Sequence, residues 1–240
     1  MIIMTTFLLV HGAWHNGHSW DRVVPLLEAA GHRVLAPSLT GYGDKAHLLS
    51  PEVGLDTHAR DIVTLIDDDE LTGVVLVGHS YAASVIASAA NERPDRVAHL
   101  VYVDSYEPLD GRSGVDVLPW LQDVLDAVAP SWVLPPLPEQ PAPAGLYGVT
   151  DPADIAWLRT MLSDHPVLCL QQPVRLDDPA VRAVPRTHIR CVAGDAGLAL
   201  PPVPAVQANG SPAQVRELPT GHDCMITMPV ELSELLLELA

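Results

Sequence analysis

Basic residues are scarce in this chain. Thirteen Lys and Arg stand against 30 Asp and Glu, for a formal net charge of −17. Nucleic acid and anionic membrane both call for a basic surface, so neither is expected as a partner. Cysteine is scarce too. Cys169, Cys191 and Cys224 make an odd count with no C-x-x-C pair, which suits free thiols in a reducing compartment rather than a disulfide framework. No apolar run approaches the roughly 20 residues of a spanning helix. Met1 to Thr6 lacks a basic stretch and a small-residue cleavage site, so a cytoplasmic protein is expected. No internal repeat is visible. What remains is a globular composition, 48% hydrophobic and only 18% charged, over 240 residues. That length permits one large domain, or a domain carrying an insertion.

Read in order, apolar runs at Phe7–Val10, Arg33–Ala36, Val74–Val77, Leu100–Val103, Ile189–Ala193 and Val215–Leu218 predict strands. Helical spacing covers Trp20–Ala30, Thr57–Asp69, Ala82–Glu92, Val117–Val128, Pro152–Ser163 and Pro229–Leu239, and a short helix is expected over Val203–Asn209. Between about 105 and 185 strand signal fades and prolines crowd residues 130–143, so this stretch reads as an insertion covering one face of the sheet. Alternating strands and helices predict an α/β fold: a mostly parallel sheet of about six strands, with helices on both faces. Function in such sheets gathers at the carboxyl ends of the strands.

One of those ends carries Gly78-His79-Ser80-Tyr81-Ala82, between a buried strand and an alanine-rich helix. Strand, tight turn and helix around a central serine form a nucleophile elbow, here with Ala82 in place of the last glycine. A serine hydroxyl is a weak nucleophile and needs a base, which in turn needs a carboxylate. His222, in the last strand-to-helix loop, is the candidate base. Asp195 is the favoured acid and Asp104 the alternative; each follows a predicted strand. The oxyanion of acyl transfer needs two backbone N–H donors, and Tyr81 and Ala13 are expected to supply them. Gly12 leaves room for a substrate carbonyl. Trp14, Trp120 and Trp132 are expected to wall an apolar pocket. His11-x-x-x-His15-x-x-His18 has ligand-like spacing but lacks a carboxylate partner of known type, so no metal and no cofactor are expected.

These residues carry a resemblance. Phe7 to Trp14, Val23 to Val34, Gly78 to Ala82, Val101 to Asp104, and Gly221-His222 followed by Pro229 together make the sequence similar to the α/β-hydrolase superfamily. The similarity points to the branch of plant methyl-ester esterases, hydroxynitrile lyases and bacterial pyrethroid-type carboxylesterases, and it covers nearly the whole chain. It implies a hydrolase core over residues 1–104 and 186–240 with a cap at 105–185. It also implies Ser80 as nucleophile, His222 as base, Asp195 as acid, and Ala13 and Tyr81 as oxyanion donors. Cyanohydrin-cleaving relatives carry Thr after the first-loop histidine and Lys after the catalytic one. Here those positions hold Gly12 and Asp223, which favours ester hydrolysis. The expected activity is thus a serine carboxylesterase working on small or medium apolar esters through an acyl-enzyme, as a monomer or homodimer. A biosynthetic lactonase, thioesterase or cyclase on the same residues, or a non-catalytic ligand-binding member, stays open.

Overall fold

The computed structural model describes residues 4–193 and 199–240. Its strands are β1 (Thr6–Val10), β2 (Arg33–Leu35), β3 (Val74–His79), β4 (Val97–Val103), β5 (Val133–Leu134), β6 (His165–Pro166), β7 (Arg186–Cys191) and β8 (Gln214–Leu218). Six of them form a parallel sheet in the order β2-β1-β3-β4-β7-β8, while β5 and β6 pair antiparallel on their own. Parallel strands covered on both faces read as continuous apolar runs. β3 is buried at every position, and Phe7 to Val10 of β1 is fully buried beside it.

The helices are α1 (Val24–Ala29), α2 (Leu55–Asp68), α3 (Ala82–Glu92), α4 (Gly114–Val117), α5 (Trp120–Val128), α6 (Pro152–Arg159), α7 (Val167–Gln171), α8 (Cys224–Thr227) and α9 (Pro229–Leu237). α1 packs with α9 and α2 with α3, giving two helical layers against the sheet. The inward face of α2 holds Ala59, Ile62, Val63 and Ile66, the 3.6-residue pattern legible in the sequence.

Proline explains most departures from the expected elements. The helix anticipated over Val117–Val128 is broken at Pro119, which forces Leu118 to φ −122°, ψ 79° and leaves α4 and α5 as separate pieces. The expected helix over Val203–Asn209 does not form. Pro204 lacks a donor N–H, and the segment instead folds back on itself, with Val206 bridging Pro212 and Ala213 N–H donating to the Ala205 carbonyl at 3.0 Å. α1 starts later than expected, at Val24, after a 3₁₀ turn over Gly17–Trp20.

Candidate active site

The turn after β3 is tight because the backbones on either side of Ser80 nearly touch. A Cβ at Gly78 would lie 2.7 Å from the Ala82 carbonyl oxygen, so the glycine on the strand side is required. Ala82 itself is fully buried, and its methyl group is accommodated, which explains the relaxed last position of the motif. Ser80 sits at φ 54°, a left-handed conformation that L-residues adopt at a cost. Its N–H donates to the Val103 carbonyl at 2.9 Å, tying the elbow to β4.

His222 follows β8 and reaches the same point. Its Nδ1 lies 2.7 Å from Asp104 Oδ2, so Nδ1–H donates to the carboxylate and Nε2 is left free to accept a proton. Asp104 stands at the end of β4 with φ 43°. Its other oxygen accepts the Cys191 N–H at 2.9 Å, and its own N–H donates to the Ile189 carbonyl at 2.7 Å. Burial pushes the Asp104 carboxyl up, but the bond and charge of His222 and the Cys191 N–H outweigh it and hold the group below its ordinary value. Asp195 lies outside the described residues. Asp104, the alternative acid considered from sequence, is hydrogen-bonded to His222.

The loop after β1 is built by histidines. Leu39 N–H donates to His11 Nε2 at 3.0 Å, and His11 Nδ1–H therefore donates to the Gly12 carbonyl at 2.9 Å. Burial drives the His11 pKa down to about 3, so the ring is neutral. His15 is different. Nδ1 faces the Ala13 carbonyl at 2.7 Å and Nε2 faces Asp223 Oδ2 at 2.9 Å, so both nitrogens must carry hydrogen. Burial opposes the charge, yet Asp223 and the Ala13 carbonyl together raise the His15 pKa. His15 and Asp223 thus form a buried ion pair joining the first loop to the loop of His222. Asp223, expected to bear on cyanohydrin chemistry, is committed to this pair. His18 is exposed and bonds Asp21. His79, His222 and Asp223 offer ligand atoms within 4.8 Å of one another. His79 Nε2–H already donates to the His222 carbonyl at 3.1 Å, however, so the cluster is a hydrogen-bonded network.

Above these groups is a cavity of about 500 Å³. Ala13, Ser80, Tyr81, Asp104 and His222 line its floor side; Trp14, Tyr106, Leu118, Trp120, Leu121, Leu137, Tyr147 and Leu170 are among its walls, and among the described residues no Lys or Arg lines it. The proline-rich stretch contributes Pro138, Gln140 and Pro141. Backbone N–H groups of Ala13 and Tyr81 have no protein acceptor among the described residues, although both residues are nearly fully buried.

Two expected pocket residues are elsewhere. Gly12 does not line the cavity. It presses on the elbow instead, where a Cβ would lie 2.8 Å from His79 Nδ1 and 3.1 Å from Ser80 Cβ. Trp132 is 41% exposed, in the surface turn between α5 and β5. Trp14 and Trp120 do line the cavity, and Trp14 Nε1–H is anchored on the Leu134 carbonyl at 2.9 Å. Missed by the sequence reading were Tyr106, Ser105 and Tyr147. Tyr147 O–H accepts the Leu137 N–H at 2.9 Å, and its carbonyl accepts the Asp223 N–H at 2.9 Å. The one available signal was Ser105's position directly after a strand-end Asp.

Comparison with known proteins identifies the family. The model of the alpha/beta hydrolase family matches residues 7–235. A carbendazim hydrolyzing esterase of a Nocardioides species is 35% identical over 96% of this chain and 98% of its own length. A pyrethroid hydrolase of Sphingobium wenxiniae is 40% identical over 42% of this chain and 35% of its own. Among solved structures, an extracellular alpha/beta-hydrolase from a Paenibacillus species superimposes with a TM-score of 0.81 at 22% identity, covering 98% of this chain and 99% of that one.

Proposed function

The chain belongs to the alpha/beta hydrolase family and is a carboxylesterase-type hydrolase, and we propose that Ser80 is its nucleophile, His222 its base and Asp104 the acid that orients the base. The 2.7 Å bond from His222 to Asp104, beside Ser80 in one cavity, carries this reading. His222 Nε2 takes the proton from Ser80 Oγ as the oxygen attacks the ester carbonyl carbon. The tetrahedral oxyanion accepts hydrogen bonds from the free Ala13 and Tyr81 N–H groups. Collapse breaks the ester C–O bond, and the alcohol leaves with the proton held by His222. Water then attacks the acyl-enzyme by the same route and releases the acid. Asp104 stays ionised throughout and stabilises the imidazolium.

Segment 105–185 acts as the cap that walls the acyl or alcohol side. Its aromatic and aliphatic lining, with no cation facing the cavity, supports a neutral, apolar ester of small to medium size. Carbendazim and pyrethroid esters, the compounds in two relatives' names, belong in the first substrate panel.

The decisive experiment compares Ser80→Ala, Asp104→Asn and Asp195→Asn with wild type on p-nitrophenyl butyrate. Ser80→Ala is expected to lose essentially all turnover and all fluorophosphonate labelling. Asp104→Asn is expected to lower kcat by on the order of 10⁴, through the wrong imidazole tautomer. Asp195→Asn is expected to stay within a few-fold of wild type. The reverse order of the two aspartates would reassign the acid, and an active Ser80→Ala would remove the mechanism.

A further inference from the structure

A peptide plane carries its carbonyl and the next residue's N–H as one conjugated unit. A hydrogen bond received by the oxygen therefore fixes and polarises the N–H across the same plane. Both donor amides of the oxyanion site have such a bond from a buried side chain. The Tyr81 N–H shares its plane with the Ser80 carbonyl, and Ser105 Oγ–H donates to that carbonyl at 2.6 Å. The Ala13 N–H shares its plane with the Gly12 carbonyl, and His11 Nδ1–H donates there at 2.9 Å. We infer that Ser105 and His11 are positioning residues that strengthen and aim the two oxyanion donors. The inference rests on the reading of Ala13 and Tyr81 as those donors.

Two details separate this from ordinary satisfaction of buried groups. The Ser80 carbonyl already accepts the Ala83 N–H at 3.1 Å, so the Ser105 bond is a second one, on an oxygen with one partner in place. The His11 tautomer is not free to vary: the Leu39 N–H occupies Nε2 and forces the hydrogen onto Nδ1, towards Gly12. Ser105 is 1% exposed and His11 fully buried, so neither bond competes with bulk water. The arrangement also links the parts of the site. Ser105 follows Asp104 directly, so the end of β4 holds the base through one residue and an oxyanion amide through the next.

The test is Ser105→Ala and Ser105→Thr, assayed on acetate, butyrate and benzoate esters of one phenol and with a trifluoromethyl ketone as transition-state analogue. One oxyanion donor is worth roughly 10²–10³ in rate, and a polarising bond changes a donor's strength by about 10–30%, so kcat for Ser105→Ala should fall roughly two- to eightfold. KM should be unchanged, the analogue's inhibition constant should rise by the same factor, and that factor should be the same for all three esters. Ser105→Thr, whose methyl has the cavity to enter, should restore the rate. His11→Leu, where it folds, should act similarly and multiply with Ser105→Ala. An unchanged kcat and analogue affinity in Ser105→Ala overturns the inference, and so does a factor that varies with the acyl group, since that marks a direct substrate contact. Ser80→Ala separates the two levels. If it remains active, the catalytic reading itself has failed; if it is inactive while Ser105→Ala is normal, only the positioning role has.

Discussion

Acid should unfold this protein well before its carboxylates are protonated, because its core holds histidines that cannot accept a proton. Burial lowers the pKa of His11 and His79 to about 3 and that of His58 to about 4. Their bonds agree. His11 Nε2 accepts the Leu39 N–H, and His58 Nδ1 accepts the Tyr81 O–H at 3.0 Å while Nε2–H donates to the Thr40 carbonyl at 2.9 Å. In the unfolded chain each ring titrates near 6.5. The unfolded state therefore binds more protons than the native state between about pH 6.5 and the folded values, and stability falls as pH falls through that window.

From pH 7 to 5 each of the three rings should remove about 2 kcal/mol, or about 6 kcal/mol together. That is comparable with the whole stability of many domains. His165, held well below its ordinary value by burial, adds in the same direction. His15 opposes it. Its raised pKa gives a contribution that is complete below the unfolded value and lost only as pH rises through the folded one, so it returns under about 1 kcal/mol over this interval. Asp104 and Asp223 have depressed values, and their contributions begin to fade only near the unfolded carboxyl pKa, below the interval. Urea melts followed by tryptophan fluorescence at pH 7.5, 6.5, 5.5 and 5.0 measure this directly. Near pH 5.5 the three rings alone should give a slope of about 4 kcal/mol per pH unit and an uptake of nearly three protons on unfolding, and His165 and His99, also lowered by burial, add to both. A flat profile from pH 7 to 5, or uptake of less than one proton, would refute the neutral buried histidines.

Two further outcomes follow from charge. His15→Leu or Asp223→Leu alone strands a buried charge and should cost about 3–5 kcal/mol, whereas the double replacement should cost much less than the sum of the two, as read by a double-mutant cycle of urea melts. Esters with an acyl carboxylate, such as p-nitrophenyl hemisuccinate, should show kcat/KM at least roughly tenfold below the butyrate ester, because no cation lines the cavity and Asp104 does; equal rates would argue against a neutral-substrate pocket.

The parts of this molecule legible in its sequence are those with local periodicity. β3 reads as an unbroken apolar run because both of its faces are covered, and α2 reads as a helix because its inner face alone is apolar. The elbow was legible because its requirement for small residues is local, between Gly78 and Ala82. The choice of acid was left open there: Asp104 and Asp195 each follow a predicted strand and each satisfy the order serine, acid, histidine, and the bond to His222 Nδ1 supports the proposal of Asp104. Trp132 was misplaced because the proline-rich stretch beside it has no period from which to infer a facing side. The His15–Asp223 pair joins residues 208 positions apart and leaves no local trace.

Backbone strain is an independent argument for the proposed site. Among the described residues, five non-glycine residues adopt positive φ, and four of them, Trp14 (66°), Ser80 (54°), Asp104 (43°) and Tyr147 (51°), line the cavity. Turn geometry alone would be met more cheaply by glycine or asparagine. Each position therefore retains its side chain at a cost of order 1–3 kcal/mol in backbone conformation. Three of the four follow β1, β3 and β4, where neighbouring parallel strands deliver their ends to one edge of the sheet. The fourth, Tyr147, reaches the edge from the far side and holds the His222 loop through Asp223 N–H. Strain at unrelated turns would be scattered over the surface. Its concentration around one apolar cavity means that the indole, hydroxyl, carboxylate and phenol are what those turns are built to present.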